Sequence, residues 1–346
     1  MVSKIKAELK DLHPAYFALV MATGIISIST NLLDWSILPR ALFLLNIIIY
    51  ITLLILNVMR IIYYPRQFVA DLSDHSRGVG FFTIVAATGV VATQFIVICG
   101  NLLLAKILWY IAAGLWLIFM YGIFCALTVK GNKPSLSEGI NGGWLVSVVA
   151  TQSLSVVGCL SLPELGVGKE GLFTIMLALW LCGGMLYIWL ISLIFYRYTF
   201  FEFSPSDLMP PYWINMGAMA ISTLAGATLI QKAADSPLLL SILPFLKGFT
   251  LWYWATATWW IPLMALLAIW RHAVKRFPFS YDQGYWGLVF PLGMYTVCTF
   301  QLGSAINSDL ISAISRGFVY ISVLVFSLVF FGFLRRLLTI VFGIRV

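Results

Sequence analysis

Three histidines, five cysteines and thirteen acidic residues are the groups with which this chain could do proton-transfer, redox or metal chemistry. Their positions speak against each. Every carboxylate (Glu8, Asp11, Asp34, Asp71, Asp74, Glu138, Glu164, Glu170, Glu202, Asp207, Asp235, Asp282 and Asp309) falls outside the centre of the long apolar stretches, and no lysine or arginine sits at a centre either. Proton pumps and many coupled carriers keep an ionisable pair at membrane depth. His13, His75 and His272 stand at stretch ends, which disfavours a bis-histidine haem. Cys99, Cys125, Cys159, Cys182 and Cys298 lie inside apolar stretches with no paired spacing, as small buried hydrophobes do. No HExxH, GxSxG, Walker or paired-aspartate motif occurs, so an enzyme is poorly supported and neither cofactor nor metal is expected.

What remains is neutral and polar. Residues 284–303, GYWGLVFPLGMYTVCTFQLG, combine Pro291 beside Phe290 with Gly287, Gly293, Gly303, Thr296, Thr299 and Gln301. Proline frees a carbonyl and bends a helix, and in hydrocarbon such a break survives where protein or a watery cavity satisfies it. The span therefore reads as a bent, pore-facing helix with Phe290 at the bend. Ser147, Thr151 and Ser155, spaced by four, place three hydroxyls on one helix face. Further candidates for a lining are Thr23, Gly24, Ser27, Thr88, Gly89, Ser222, Thr223, Gly226, Met294 and Gln301. Hydroxyls, small residues and rings without fixed charge suit a weakly binding conduit.

The elements that must carry these residues are membrane helices. Hydrophobic residues make up 61% of the chain, charged ones 10%, and the mean hydropathy is +0.98, far from a soluble domain. At about 20 apolar residues per crossing, ten spans are predicted: 14–33, 38–62, 79–99, 102–129, 140–161, 171–197, 211–231, 249–270, 284–305 and 315–340. The longer connection 232–248 holds Pro237 and Pro244 and could form a short interfacial helix. The charged start, without an apolar core before the first span, is not that of a cleaved signal peptide. The net charge of +8 is no sign of a nucleic-acid partner, because the basic residues cluster at one set of helix ends. Of the 21 lysines and arginines, 15 fall on the side of the N-terminus and 6 on the other, which places both termini in the cytoplasm by the positive-inside rule.

Odd-numbered spans are rich in small and hydroxyl residues (ATGIISIST, AATGVVATQF, VATQSLSVVG), and even-numbered ones are bulky (LFLLNIIIYITLLIL, WYIAAGLWLIFMYGIF). Ala22-Thr23-Gly24 is echoed at Ala87-Thr88-Gly89, and Ala92-Thr93-Gln94 at Ala150-Thr151-Gln152. The alternation predicts an all-α polytopic membrane protein of five hairpins around an axis, small helices inside and bulky ones facing lipid.

Phe290-Pro291, preceded by Tyr285-Trp286, resembles the ninth helix of the tellurite-resistance/dicarboxylate transporter family, which includes bacterial TehA and the plant slow-type guard-cell anion channels. His13-Pro14-Ala15-Tyr16-Phe17 with Met21-Ala22-Thr23-Gly24 resembles that family's opening. The resemblance implies a quasi-fivefold central pore, a homotrimer in a bacterial plasma membrane, and Phe290 as the ring that closes the path. It implies anions as cargo, from halide and nitrate to sulfite, malate and tellurite, without choosing among them. Val289 departs from the small polar residue expected there, and the long regulatory tails of the plant channels have no counterpart. A passive anion channel, a coupled carrier or exporter, and a membrane enzyme or electron-transfer subunit stay open as readings, the last disfavoured.

Overall fold

The computed structural model describes residue 6, residues 8–161 and residues 168–342; Lys4, Glu164 and Arg345 of the charge pattern lie outside the described residues. Ten helices are long and apolar enough to cross a membrane, and among the described residues there is no strand. They are α1 (Pro14–Leu32), α2 (Leu38–Tyr63), α3 (Gly78–Cys99), α4 (Leu102–Val129), α5 (Gly142–Ser161), α6 (Lys169–Phe200), α7 (Pro210–Gln231), α8 (Leu243–Val274), α9 (Gln283–Ile306) and α10 (Asp309–Thr339).

Burial sorts them into two shells. The most apolar windows of the odd helices are 72–94% buried and those of the even helices 17–39%, so the small-residue helices are the inner set. Each inner helix packs on the next, and α9 packs back on α1, which closes a ring of five. Every outer helix covers its own inner partner and also touches the following one. The outer faces show Leu44, Ile48, Ile55, Ile118, Leu324 and Leu328, an apolar surface that only lipid or another protein can cover.

Local chemistry sets the boundaries. Each inner helix opens with a tight 3₁₀ turn, at residues 14, 78, 142, 210 and 283, so the turns are 64, 64, 68 and 73 residues apart. Prolines at 14, 210 and 211 suit that first turn, where an N–H would have no partner. His13, Asn141 and Asp282 accept from the backbone N–H groups of Ala15, Gly143 and Gly284. At the far end Gly100 (φ 64°) stops α3, and the side chain of Asn101 then caps α4 at Leu104. Pro244 sits in the first turn of α8, so that helix starts at Leu243 instead of 249 and only Ala233–Asp235 and Pro237–Ser241 form short helices in the connection. α10 likewise starts at Asp309, six residues before the expected 315.

Basic residues at the ends of the outer helices lock the hairpins together. The Arg60 Nε donates to the Lys10 carbonyl (3.1 Å), Lys130 Nζ to Ser73 (2.8 Å), Arg197 Nε to Ser137 (2.7 Å) and Arg271 Nη1 to Leu208. In each case the acceptor lies in the segment before the preceding inner helix or before its own partner's start, on the same side of the molecule. Arg60 is nearly inaccessible and shares Asp71 with Arg77, at 2.6 and 2.7 Å.

Candidate functional site

The opening turns, 64, 64, 68 and 73 residues apart, set a common register for the inner helices, and two cavities reveal what that register faces. One, of about 540 Å³, opens where all five inner helices begin. Its wall includes Ala15 and Ala18 of α1, Val79 and Thr83 of α3, Gly143 and Val149 of α5, Pro211 and Ile214 of α7, and Tyr285, Gly287 and Phe290 of α9. The other, of about 80 Å³, lies among the second halves of the same helices. Its lining falls in layers: Ile25, Gly89, Ser153, Ile221 and Met294 form one, and Leu32, Leu160, Thr228 and Gln301 belong to another. Residues 25, 89, 153, 221 and 294 repeat the spacing of the opening turns. An axis therefore runs through the ring.

Applied one turn earlier, the register gives Met21, Val85, Val149, Gly217 and Phe290, all buried. Met21, Val149 and Phe290 end the first cavity, and Met294 begins the second. Phe290 is 1% exposed and is the largest member of its layer. One apolar layer thus separates the two cavities.

α9 is continuous from Trp286 to Ile306 through Pro291. Proline has no N–H for the carbonyl four residues back, that of Gly287, which lines the first cavity. Gly217 makes room for the proline ring: a Cβ there would lie 2.7 Å from Pro291 Cγ. Gly293 does the same for α1, with Ile25 Cγ2 at 2.7 Å from an added Cβ. Nothing in the linear sequence marked Gly217; only the repeat register, read across five helices, picks it out.

Half of the eight candidate hydroxyls address the outer shell. Ser155 donates to the Met176 carbonyl (2.9 Å) on α6, and Thr151 receives Trp116 Nε1 (2.8 Å) from α4 while donating to Ser147. Ser147 donates to Trp144, Ser27 to the Pro39 carbonyl (2.7 Å) on α2, and Thr88 meets Tyr50 Oη (2.8 Å). Ser222 and Thr223 donate back to Ala218 and Met219, and the Ser222 carbonyl accepts from Trp180 Nε1. Gly24 and Gly226 admit Asn46 and Thr250 of the outer helices, and Thr23 is fully buried. Gly89, Met294 and Gln301 line the second cavity, where Gln301 Oε1 accepts from Gln231 Nε2 (3.0 Å). Polar groups in hydrocarbon need partners, and bonds between the shells and back to the helix's own carbonyls supply most of them, the Thr23 hydroxyl being left without one.

Electrostatics distinguish the two mouths. The inner helices are parallel, so the positive ends of five backbone dipoles meet at the large cavity. Its charged wall residues are Arg271 and Asp282, with His13 beside them. Burial, and then the Arg77 charge, push the His13 imidazole down to about 4, so it is neutral at pH 7 and free to accept at Nδ1. Among the described residues no cluster of His, Cys, Asp and Glu could hold a metal.

A membrane protein of ten helices, with two cavities on one axis separated by an apolar layer, fits the class of channels and transporters. The chain is a member of the SLAC1 family, described as voltage-dependent anion channels, which it matches over residues 11–334. It is 27% identical over 325 residues to an uncharacterized transporter of Methanocaldococcus jannaschii, with 92% of each chain covered. An uncharacterized membrane protein of Mycobacterium tuberculosis is 36% identical over 152 residues, 44% of this chain and 77% of that one. A sulfite efflux pump of Trichophyton rubrum is 25% identical over 346 residues, covering 93% of this chain and 90% of the pump.

Proposed function

We propose that this protein is a passive channel for small anions in the plasma membrane, closed at rest by Phe290. The observation that carries the reading is the pair of lumens, about 540 and 80 Å³, divided at the layer of Met21, Val85, Val149, Gly217 and Phe290. A conduit must bind its ion weakly enough to release it, and an apolar constriction can gate by excluding water. The lumens fit that: most of the hydroxyls are spent on bonds between shells or within their own helices, and the wall around the second cavity is uncharged. Selection for anions comes from the five helix N-termini at the large cavity and from Arg271. With 15 of 21 basic residues on that side, it is the cytoplasmic mouth and both termini are cytoplasmic. Dipoles aligned this way favour anions arriving from the cytoplasm, and the likeness to a sulfite efflux pump supports outward passage of sulfite-sized ions.

The whole chain, 1–346, acts as one transmembrane unit, and the apolar outer faces leave surface for a homotrimer. A coupled exporter of sulfite, C4-dicarboxylate or tellurite is the second reading, favoured by the pump among the relatives. Anion currents across reconstituted bilayers, for the native protein and Phe290→Ala, separate the two. Large non-saturating currents in the variant, reversing with the chloride gradient, are expected. Silent bilayers together with saturable, proton-dependent sulfite or malate uptake would replace the channel with the carrier.

A further inference from the structure

The cytoplasmic-side cavity is far larger than an inorganic anion needs, and its chemistry is specific. At about 540 Å³ it has the size of a small-molecule pocket, and its wall is largely apolar and aromatic: Met209, Ile214, Phe277, Tyr285, Trp286 and Phe290. One cation faces this wall. Arg271 stacks on the Phe277 ring, with its guanidinium carbon 4.3 Å from the centroid, and Nη1 donates to the Leu208 carbonyl. Its Nε is buried without a partner, and among the described residues Nη2 has no hydrogen bond either. The carboxylate in the same cavity, Asp282, is already held by the Gly284 N–H (2.6 Å). His13 is neutral there, its Nδ1 occupied by the Ala15 N–H. The site therefore offers one unsatisfied cationic donor, one standing negative charge and a broad apolar wall.

We infer that this cavity is a binding site for an organic monoanion that carries an aryl or branched alkyl body, its acid group on Arg271 and its body against Phe277, Tyr285 and Trp286. The assignment rests on the reading of this cavity as the cytoplasmic vestibule of the path, and it names a ligand class for it. A dianion is disfavoured, because Arg271 is alone and Asp282 repels the second charge. An inorganic anion satisfies the guanidinium but leaves the apolar wall wet, so it binds far more weakly. An occupant of this size ends against Phe290 and plugs the path from the cytoplasmic side.

Equilibrium dialysis of labelled naphthalene-2-sulfonate against the full chain in lipid nanodiscs, with empty nanodiscs as the blank, tests this without any ion gradient. Saturable binding at one site per chain is expected, with inorganic sulfite competing only at concentrations at least tenfold higher. Arg271→Gln should weaken binding at least tenfold, Arg271→Lys should retain part of it, and the uncharged methyl sulfone of naphthalene should compete at least tenfold less well than the acid. Non-saturable uptake, equal competition by sulfite, or unchanged affinity in Arg271→Gln would each overturn the assignment. Because dialysis needs no conduction, silent bilayers would refute the channel and leave the binding result standing.

Discussion

Gly217 is where the packing of the apolar layer can be tested without touching Phe290. An alanine there would place its Cβ 2.7 Å from Pro291 Cγ, 3.0 Å from its Cβ and 3.3 Å from its Cα, against an ordinary contact of 3.4 Å or more. None of these atoms belongs to a flexible side chain, so relief has to come from moving α9 away from α7 by roughly 0.7 Å or more, since well-packed interiors give little. Overpacking of this kind costs about 1–3 kcal/mol. Gly217→Ala is therefore expected to lower stability by that amount in detergent-solubilised protein, read as an unfolding midpoint by intrinsic tryptophan fluorescence. Pro291→Ala removes the nearest clashing atom. In that background the cost of Gly217→Ala should shrink by about 1 kcal/mol, within the range found for residues in contact. If Gly217→Ala is neutral, or costs the same with and without Pro291, then α7 and α9 do not meet at this layer as described.

Two further outcomes are expected. Asp71 pairs with both Arg60 and Arg77, and Arg60 is almost wholly buried; Asp71→Asn leaves a buried guanidinium without its carboxylate and should cost about 3–5 kcal/mol, measured as the shift in thermal unfolding against native protein. His13 titrates at about 4 in the folded chain, below its ordinary 6.5, so the unfolded state takes the proton first. The stability linked to His13 is full above about 6.5 and is lost as pH falls toward 4. His13→Asn, which keeps a capping acceptor without a titrating group, should flatten an unfolding-temperature profile over that window.

Helix number, order and shell were readable because they follow from length and bulk. Ten apolar runs of crossing length need ten helices, and the contrast between ATGIISIST and LFLLNIIIYITLLIL is the contrast between packed and lipid-facing surfaces. Membership of the family was equally legible from Phe290-Pro291 and from the run starting at His13. The facing of individual residues was not. An inner helix buried on all sides shows no polar stripe, so the direction of Thr151 or Ser155 depends on partners, Trp116 and the Met176 carbonyl, that are distant in sequence. The fivefold alternation was legible, but the register of the repeat hid for a related reason. Layer members such as Met21, Val85, Val149, Gly217 and Phe290 share a place and not a residue type. The visible echoes do not carry it: the Ala-Thr-Gly pair is 65 residues apart and the Ala-Thr-Gln pair 58, neither matching the 64-residue interval between the first three opening turns. Helix starts were misplaced where a proline, as at Pro244, served the first turn instead of ending a loop.

A barrel assembled from five identical chains would have to place the same side chain at every position of a layer. Five phenylalanines could not share the space that one occupies here, and five glycines would leave a hole. Because the five staves of this barrel are written in one polypeptide, each can be changed alone: a ring on one, a vacancy for the neighbouring proline on the next, and medium-sized aliphatic groups on the rest. Symmetry supplies the ring's cross-section, and covalent continuity licenses its violation at a single point. Evolution can then adjust the filling of one layer by one codon while four-fifths of the circumference stays as it was.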